Sequence, residues 1–172
     1  MLNAKEILEE GLIVLDNAKG KPAQVGYDLS AKEIKKTGGS IGHVLTDKTI
    51  VGDLVDIELD IVNGREGWLL HPGTYDVTMN EGCNIPATRT AMVRQRSSLL
   101  RNGAIIASSI FDPGFYTDNI GTVMIVTNDL FIEKNARVAQ MYFHENNEGE
   151  LYDGQFQNDK QRKVWNSQIQ NY

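Results

Sequence analysis

Short segments of alternating apolar character, separated by turn-forming residues at close intervals, limit what this chain can fold into more sharply than any other feature. "GDLVDIELDIV" (52–62), "GTYDVTM" (73–79), "TAMVRQR" (90–96), "GTVMIVTND" (121–129) and "ARVAQMYFH" (136–144) carry β-branched and aromatic residues at alternate or consecutive positions. Alternation sends successive side chains to opposite faces of a strand, and runs this short read as strands rather than helices. Between them stand "NGREG", "HPG", "NEG", "RNG" and "DPG". Gly and Asn tolerate left-handed backbone and Pro presets φ, so each group marks a turn. Many short strands joined by such turns predict an all-β barrel or sandwich with small helices attached. One short helix precedes them: Asn3 and Glu6 have the spacing of a capping box, and Gly11 is placed to end a helix running through about Glu10.

The length of 172 residues suits one domain, here read as 1–160, followed by a polar tail over 161–172. Seventeen Lys and Arg against 23 Asp and Glu give a net charge of −6. That balance excludes a general nucleic-acid binder, which needs a basic surface to displace phosphate counterions. The sequence contains no apolar run of membrane-spanning length. The single cysteine, Cys83, can form no internal disulfide, and a buried or inert thiol is expected. With neither a basic leader nor an apolar signal core in "MLNAKEILEEGLIVLD", the expected location is cytoplasmic.

Against this acidic background, "RQRSSLLRNG" (94–103) places Arg96 and Arg101 around Ser97 and Ser98. Guanidinium forks and hydroxyls are the donors that bidentate binding of phosphate oxygens favours; equally, they suit the outward positions of a strand and turn. In "SSIFDPGF" (108–115), Asp112 stands between an apolar pair and a Pro-Gly turn. A carboxylate held at a strand end can activate water, and it can also simply initiate the turn. Other features read as structural. Trp68 beside Leu69 and Leu70 suits a core or interface anchor; Asp53, Asp56, Glu58 and Asp60 suit the solvent face of one strand; Met141, Tyr142 and Phe143 suit packing; and His43, His71 and His144 are scattered.

Taken in order, "GYDLSA" (26–31), "RSSLLRNG" (96–103), "IFDPGF" (110–115) and "ARVAQMYF" (136–143) resemble the motifs of the trimeric dUTPase and dCTP deaminase superfamily. "LNAKEILEEGLI", "LLHPGTYDVTMNEGCNIP" (69–86) and "YDGQFQ" (152–157) resemble the deaminase branch, so the likeness covers most of residues 2 to 160. The resemblance implies a barrel or jelly-roll-like homotrimer with shared active sites. It implies that Arg96, Ser97, Ser98 and Arg101 hold a triphosphate, that Asp28 helps hold the water shell of a Mg²⁺ ion, and that Asp112, helped by Gln140, orients the attacking water. Phe115 takes the place of an aromatic that packs on the deoxyribose, and Tyr152, Gln157 and Lys160 belong to a segment that closes over the phosphates.

The two branches differ in chemistry. In the metal-free deaminase branch the base is a glutamate three residues before an asparagine. Here Ile125 stands three before Asn128, and no glutamate occurs between Asp112 and Glu133. The resemblance therefore implies a pyrophosphohydrolase acting on dUTP. The alternatives are a dCTP deaminase using Asp118 or Asp129, and a catalytically inactive nucleotide-binding regulator. Three departures bear on the base: "YDGQFQNDKQRK" replaces a glycine-rich closing motif, the loop from Arg101 to Asp112 is about two residues short, and "YTDN" is inserted after Phe115.

Overall fold

The computed structural model describes residues 1–107, 110–147 and 150–154; the tail assigned to 161–172 lies outside them. Helix α1 (Ala4–Glu9) opens the chain. The expected capping box is formed: the Asn3 side chain accepts from the Lys5 and Glu6 amides, and the Glu6 carboxylate accepts from the Asn3 amide. Gly11 takes φ 64° just beyond the helix, a left-handed conformation that costs glycine little.

The strands that build the site are β1 (Lys21–Pro22), β2 (Tyr27–Lys36), β3 (Gly73–Met79), β4 (Arg89–Gln95), β5 (Ala104–Ala107), β6 (Ile110–Phe111), β7 (Gly121–Val126) and β8 (Arg137–Glu145). They pair antiparallel in the order β5-β7-β3-β2-β8-β4-β6, with β1 pairing to β2. The chain leaves β5 at one end of this path and enters β6 at the other only three residues later. Three residues span about 11 Å at most, so the sheet must curl until its ends approach. The barrel-like fold expected from the sequence is the result.

Burial follows the alternation. Tyr75, Val77 and Met79 on β3, Met124 and Val126 on β7, Val93 on β4 and Met141 and Phe143 on β8 point into one core. Trp68 is buried as an anchor, and Cys83 is wholly buried with its thiol titration pushed up by that burial. The acidic segment 52–62 is not one strand. It splits into Val55–Asp56, paired to the end of β2, and Asp60–Val62, paired to Arg65–Leu70. Of its alternating apolar positions Ile57 is partly buried against the core while Val55, Leu59 and Ile61 stay exposed, too little buried face to enforce a continuous register. No helix among the described residues is long and apolar enough to cross a membrane.

Candidate active site

Asp28, near the start of β2, is 5% exposed. A buried carboxylate needs partners, and two guanidiniums supply them: Arg137 Nη1 donates to Oδ2 at 2.8 Å, and Arg96 Nε stands 3.5 Å from the same oxygen. Arg96 is fixed further by its amide, which donates to the Val138 carbonyl, and by Nη1, which donates to the Arg137 carbonyl. A register shift in β8 between Arg137 and Ala139 sets Arg137 opposite Ser30; such bulges re-aim side chains. One carboxylate cannot occupy two guanidiniums, so the cluster carries excess positive charge and N–H donors to spare, both suited to a polyanion.

Strand register extends this strip. Lys21 pairs with Asp28, Asp28 with Gln140, and Gln140 with Arg94. Residues directly opposite share a face, so a rung of Lys21, Asp28, Gln140 and Arg94 crosses four strands. Ser97 and Ser98 open a short helix, α2 (Ser97–Arg101), where the sequence suggested only a turn. Both serines are exposed beside Arg96, and Arg101 is exposed in the same helix.

Asp112 is elsewhere. Phe111 pairs with Ala91, and Ala91 with Phe143, three residues beyond Gln140. Asp112 therefore lies two strands across and at least three residues along from Gln140, roughly 15 Å between Cα atoms at ordinary strand spacings. The expectation that both act on one water is not met within a single chain, because β4 lies between their strands. Phe115 stands by the Asp112 turn and packs edge-on against Phe111 and Tyr152, with ring centroids 5.6 and 5.3 Å away. The Tyr152 amide donates to the Pro113 carbonyl at 2.7 Å. The segment expected to close over the phosphates is thus seated on the Asp-Pro-Gly turn through Tyr152, while Gln157 and Lys160 lie outside the described residues. Tyr116 donates to Asp118 at 2.8 Å, and burial followed by that carboxylate pushes its phenol up to about 12. It stays protonated at neutral pH.

Sequence reasoning missed two charged residues. Arg137 sits inside a quoted motif, yet a basic residue at a strand start carries no mark of its partner 109 positions away. Glu81, in the "NEG" group read as a turn, is wholly buried. Its Oε1 accepts from the Lys19 and Gly20 amides and the Ser30 hydroxyl, and Oε2 from the Ser30 amide, at 2.7 to 2.9 Å. It ties the loop before β1 onto the strand that carries Asp28. That loop approaches so closely that a Cβ at Gly20 would stand 1.8 Å from the Asp28 carbonyl oxygen.

The deaminase alternative named Asp118 and Asp129 as replacement acids. Asp118 accepts from Tyr116, and Asp129 pairs with His71 at 2.9 Å. Ile125 pairs with Ile105 on an apolar outward face. The nearest acid by register is Asp76, which pairs with Val123 two residues from Ile125. Burial first, then Glu33, pushes the Asp76 carboxyl up against the opposing pull of Lys35.

Residues 3–146 match the dCTP deaminase-like family. The chain belongs to that family. A protein of Methanosarcina mazei carrying the name probable deoxyuridine 5′-triphosphate nucleotidohydrolase is 33% identical over 90% of this chain and 93% of its own. One of Aeropyrum pernix with the same name is 31% identical over 75% and 79%. Among solved structures, the 2′-deoxycytidine 5′-triphosphate deaminase of Agrobacterium tumefaciens superposes with a TM-score of 0.61 at 19% identity, over 87% of this chain and 50% of that one. The EIAV dUTPase superposes at 0.51 and 14%, over 84% and 98%. At those identities the structures support the shared fold, which in this dCTP deaminase-like chain carries the Asp28, Arg96 and Arg137 cluster.

Proposed function

We propose that the protein hydrolyses dUTP to dUMP and pyrophosphate. The observation that carries this reading is the guanidinium pair gathered on buried Asp28 beside Ser97, Ser98 and Gln140, a compact polyanion site on an acidic chain. The names of the relatives from M. mazei and A. pernix agree with it. In the reaction a water oxygen bonds to the α-phosphorus while the bond to the bridging oxygen of the β-phosphate breaks, and pyrophosphate leaves. Arg96, Arg101, Ser97 and Ser98 bind and orient the phosphates, Gln140 holds the water, and Asp112 takes its proton. The separation of Asp112 from Gln140 within one chain supports a homotrimer in which one copy contributes Asp112 and another Gln140.

The residues fit Mg²⁺ only as an ion carried by the triphosphate. Among the described residues no three His, Cys, Asp or Glu groups gather, and Asp28 Oδ2 is already taken by arginines. Asp28 could reach only the ion's water shell. When bound, the ion would neutralise phosphate charge, as is common where phosphates supply the direct ligands.

Phe115, partly buried between two rings, offers a ribose no hydrogen-bond partner. A buried unpaired 2′-hydroxyl costs roughly 1–3 kcal/mol, so kcat/KM for dUTP should exceed that for UTP by about ten- to a hundredfold. Pyrophosphate release from the two nucleotides in parallel measures the ratio; equal values would remove the proposed role of Phe115.

A further inference from the structure

Gln140, the water-holding residue of the proposed hydrolase, has both ends of its side chain engaged. Its Nε2 donates to the Val25 carbonyl at 2.6 Å, and the Tyr142 hydroxyl donates to its Oε1. The first bond settles the amide's orientation, because a backbone carbonyl can only accept and must face the NH₂ group. Tyr142 therefore meets the carbonyl oxygen, and only as a donor. That oxygen has a second lone pair, the one with which Gln140 would accept a hydrogen bond from the attacking water.

The surroundings are shaped for this contact. Tyr142 lies two residues beyond Gln140 on β8, hence on the same sheet face. Gly26, at φ 76°, lets the Val25–Gly26 turn press against both residues' strand: a Cβ there would stand 2.4 Å from the Met141 carbonyl oxygen and 3.1 Å from Tyr142 Cδ1. The turn thus holds the Val25 carbonyl against the amide while the Tyr142 ring packs on the bare glycine.

We infer that Tyr142 is a positioning residue, its hydroxyl and the Val25 carbonyl together locking the Gln140 amide in the orientation that presents Oε1 to the attacking water. The role rests on the hydrolase reading and acts through Gln140 alone. A neutral hydrogen bond supports an effect of roughly three- to tenfold on the step it orients. It predicts no effect on nucleotide affinity, since Tyr142 is not among the phosphate-binding groups.

The test compares wild type, Tyr142→Phe, Gln140→Ala and the double variant, using pyrophosphate release from dUTP with Mg²⁺. In parallel, NMR follows the order of the Gln140 side-chain NH₂ group, assigned by its loss in Gln140→Ala. Tyr142→Phe, which keeps the packed ring, is expected to lower kcat three- to tenfold with KM within twofold. It should have no further effect in the Gln140→Ala background, and it should leave the Gln140 amide mobile where the wild type holds it rigid. Unchanged kcat, an equal loss in both backgrounds, or an amide equally ordered in Tyr142→Phe would overturn the assignment. A wild type that releases no pyrophosphate would sink the hydrolase reading, while the NMR comparison would still decide whether Tyr142 holds Gln140.

Discussion

Asp112→Asn is expected to lower kcat for dUTP by about two to four orders of magnitude, the span that a positioned general base contributes, with KM little changed. Asparagine keeps the size of the side chain while removing its charge and basicity and turning one acceptor oxygen into a donor. Asp112 is exposed at the end of β6 and its turn is held by backbone bonds, the Phe115 amide donating to the Asp112 carbonyl. The fold should therefore survive. The more discriminating form mixes this variant with Gln140→Ala. Each alone is expected to keep only a small, measurable residual rate, but if Asp112 and Gln140 reach one water from different copies, co-refolded mixtures should recover about a quarter of the wild-type rate, since random pairing leaves one site in four intact. A site complete within one chain would recover nothing, and then the proton acceptor would have to be sought nearer to Gln140.

The second large effect falls on stability. Glu81→Gln preserves shape but turns an NH₂ group toward donors. At least one of the amides of Lys19, Gly20 and Ser30, or the Ser30 hydroxyl, must then lose its acceptor, the Ser30 groups in a buried place and the Lys19 and Gly20 amides in a partly buried one. Each orphaned donor costs about 1–3 kcal/mol, so a loss of about 3 kcal/mol is expected, read as a lower urea midpoint. Because the loop tied down by Glu81 crosses the strand of Asp28, activity should fall with it. A midpoint equal to wild type would mean that the loop is held by other contacts.

These two residues also mark what the sequence could and could not convey. Asp112 was legible because a turn-forming Pro-Gly and an apolar lead-in fix its local setting within five residues. The strands of β3, β4, β7 and β8 were legible for the same reason, their two-residue alternation being a local property. Glu81 was not, since its role depends on donors 51 and 62 positions away that only the folded sheet assembles. Arg137 and Tyr142 were hidden likewise: one is re-aimed by a bulge, and the other looks like packing until the Val25 carbonyl defines which end of Gln140 it meets. The segment 52–62 misled because its alternation buries only Ile57, partly, against the core and leaves Val55, Leu59 and Ile61 exposed. The distance between Asp112 and Gln140 depends on strand order, which no local pattern records.

The central claim is tested most directly by incubating the purified protein and Mg²⁺ with dUTP, dCTP and dTTP while following pyrophosphate and ammonia separately. Pyrophosphate from dUTP, little from the other two, and no ammonia is the predicted result. Ammonia from dCTP, abolished by Asp76→Asn, would contradict it and make the acid beside Ile125 a deaminase base.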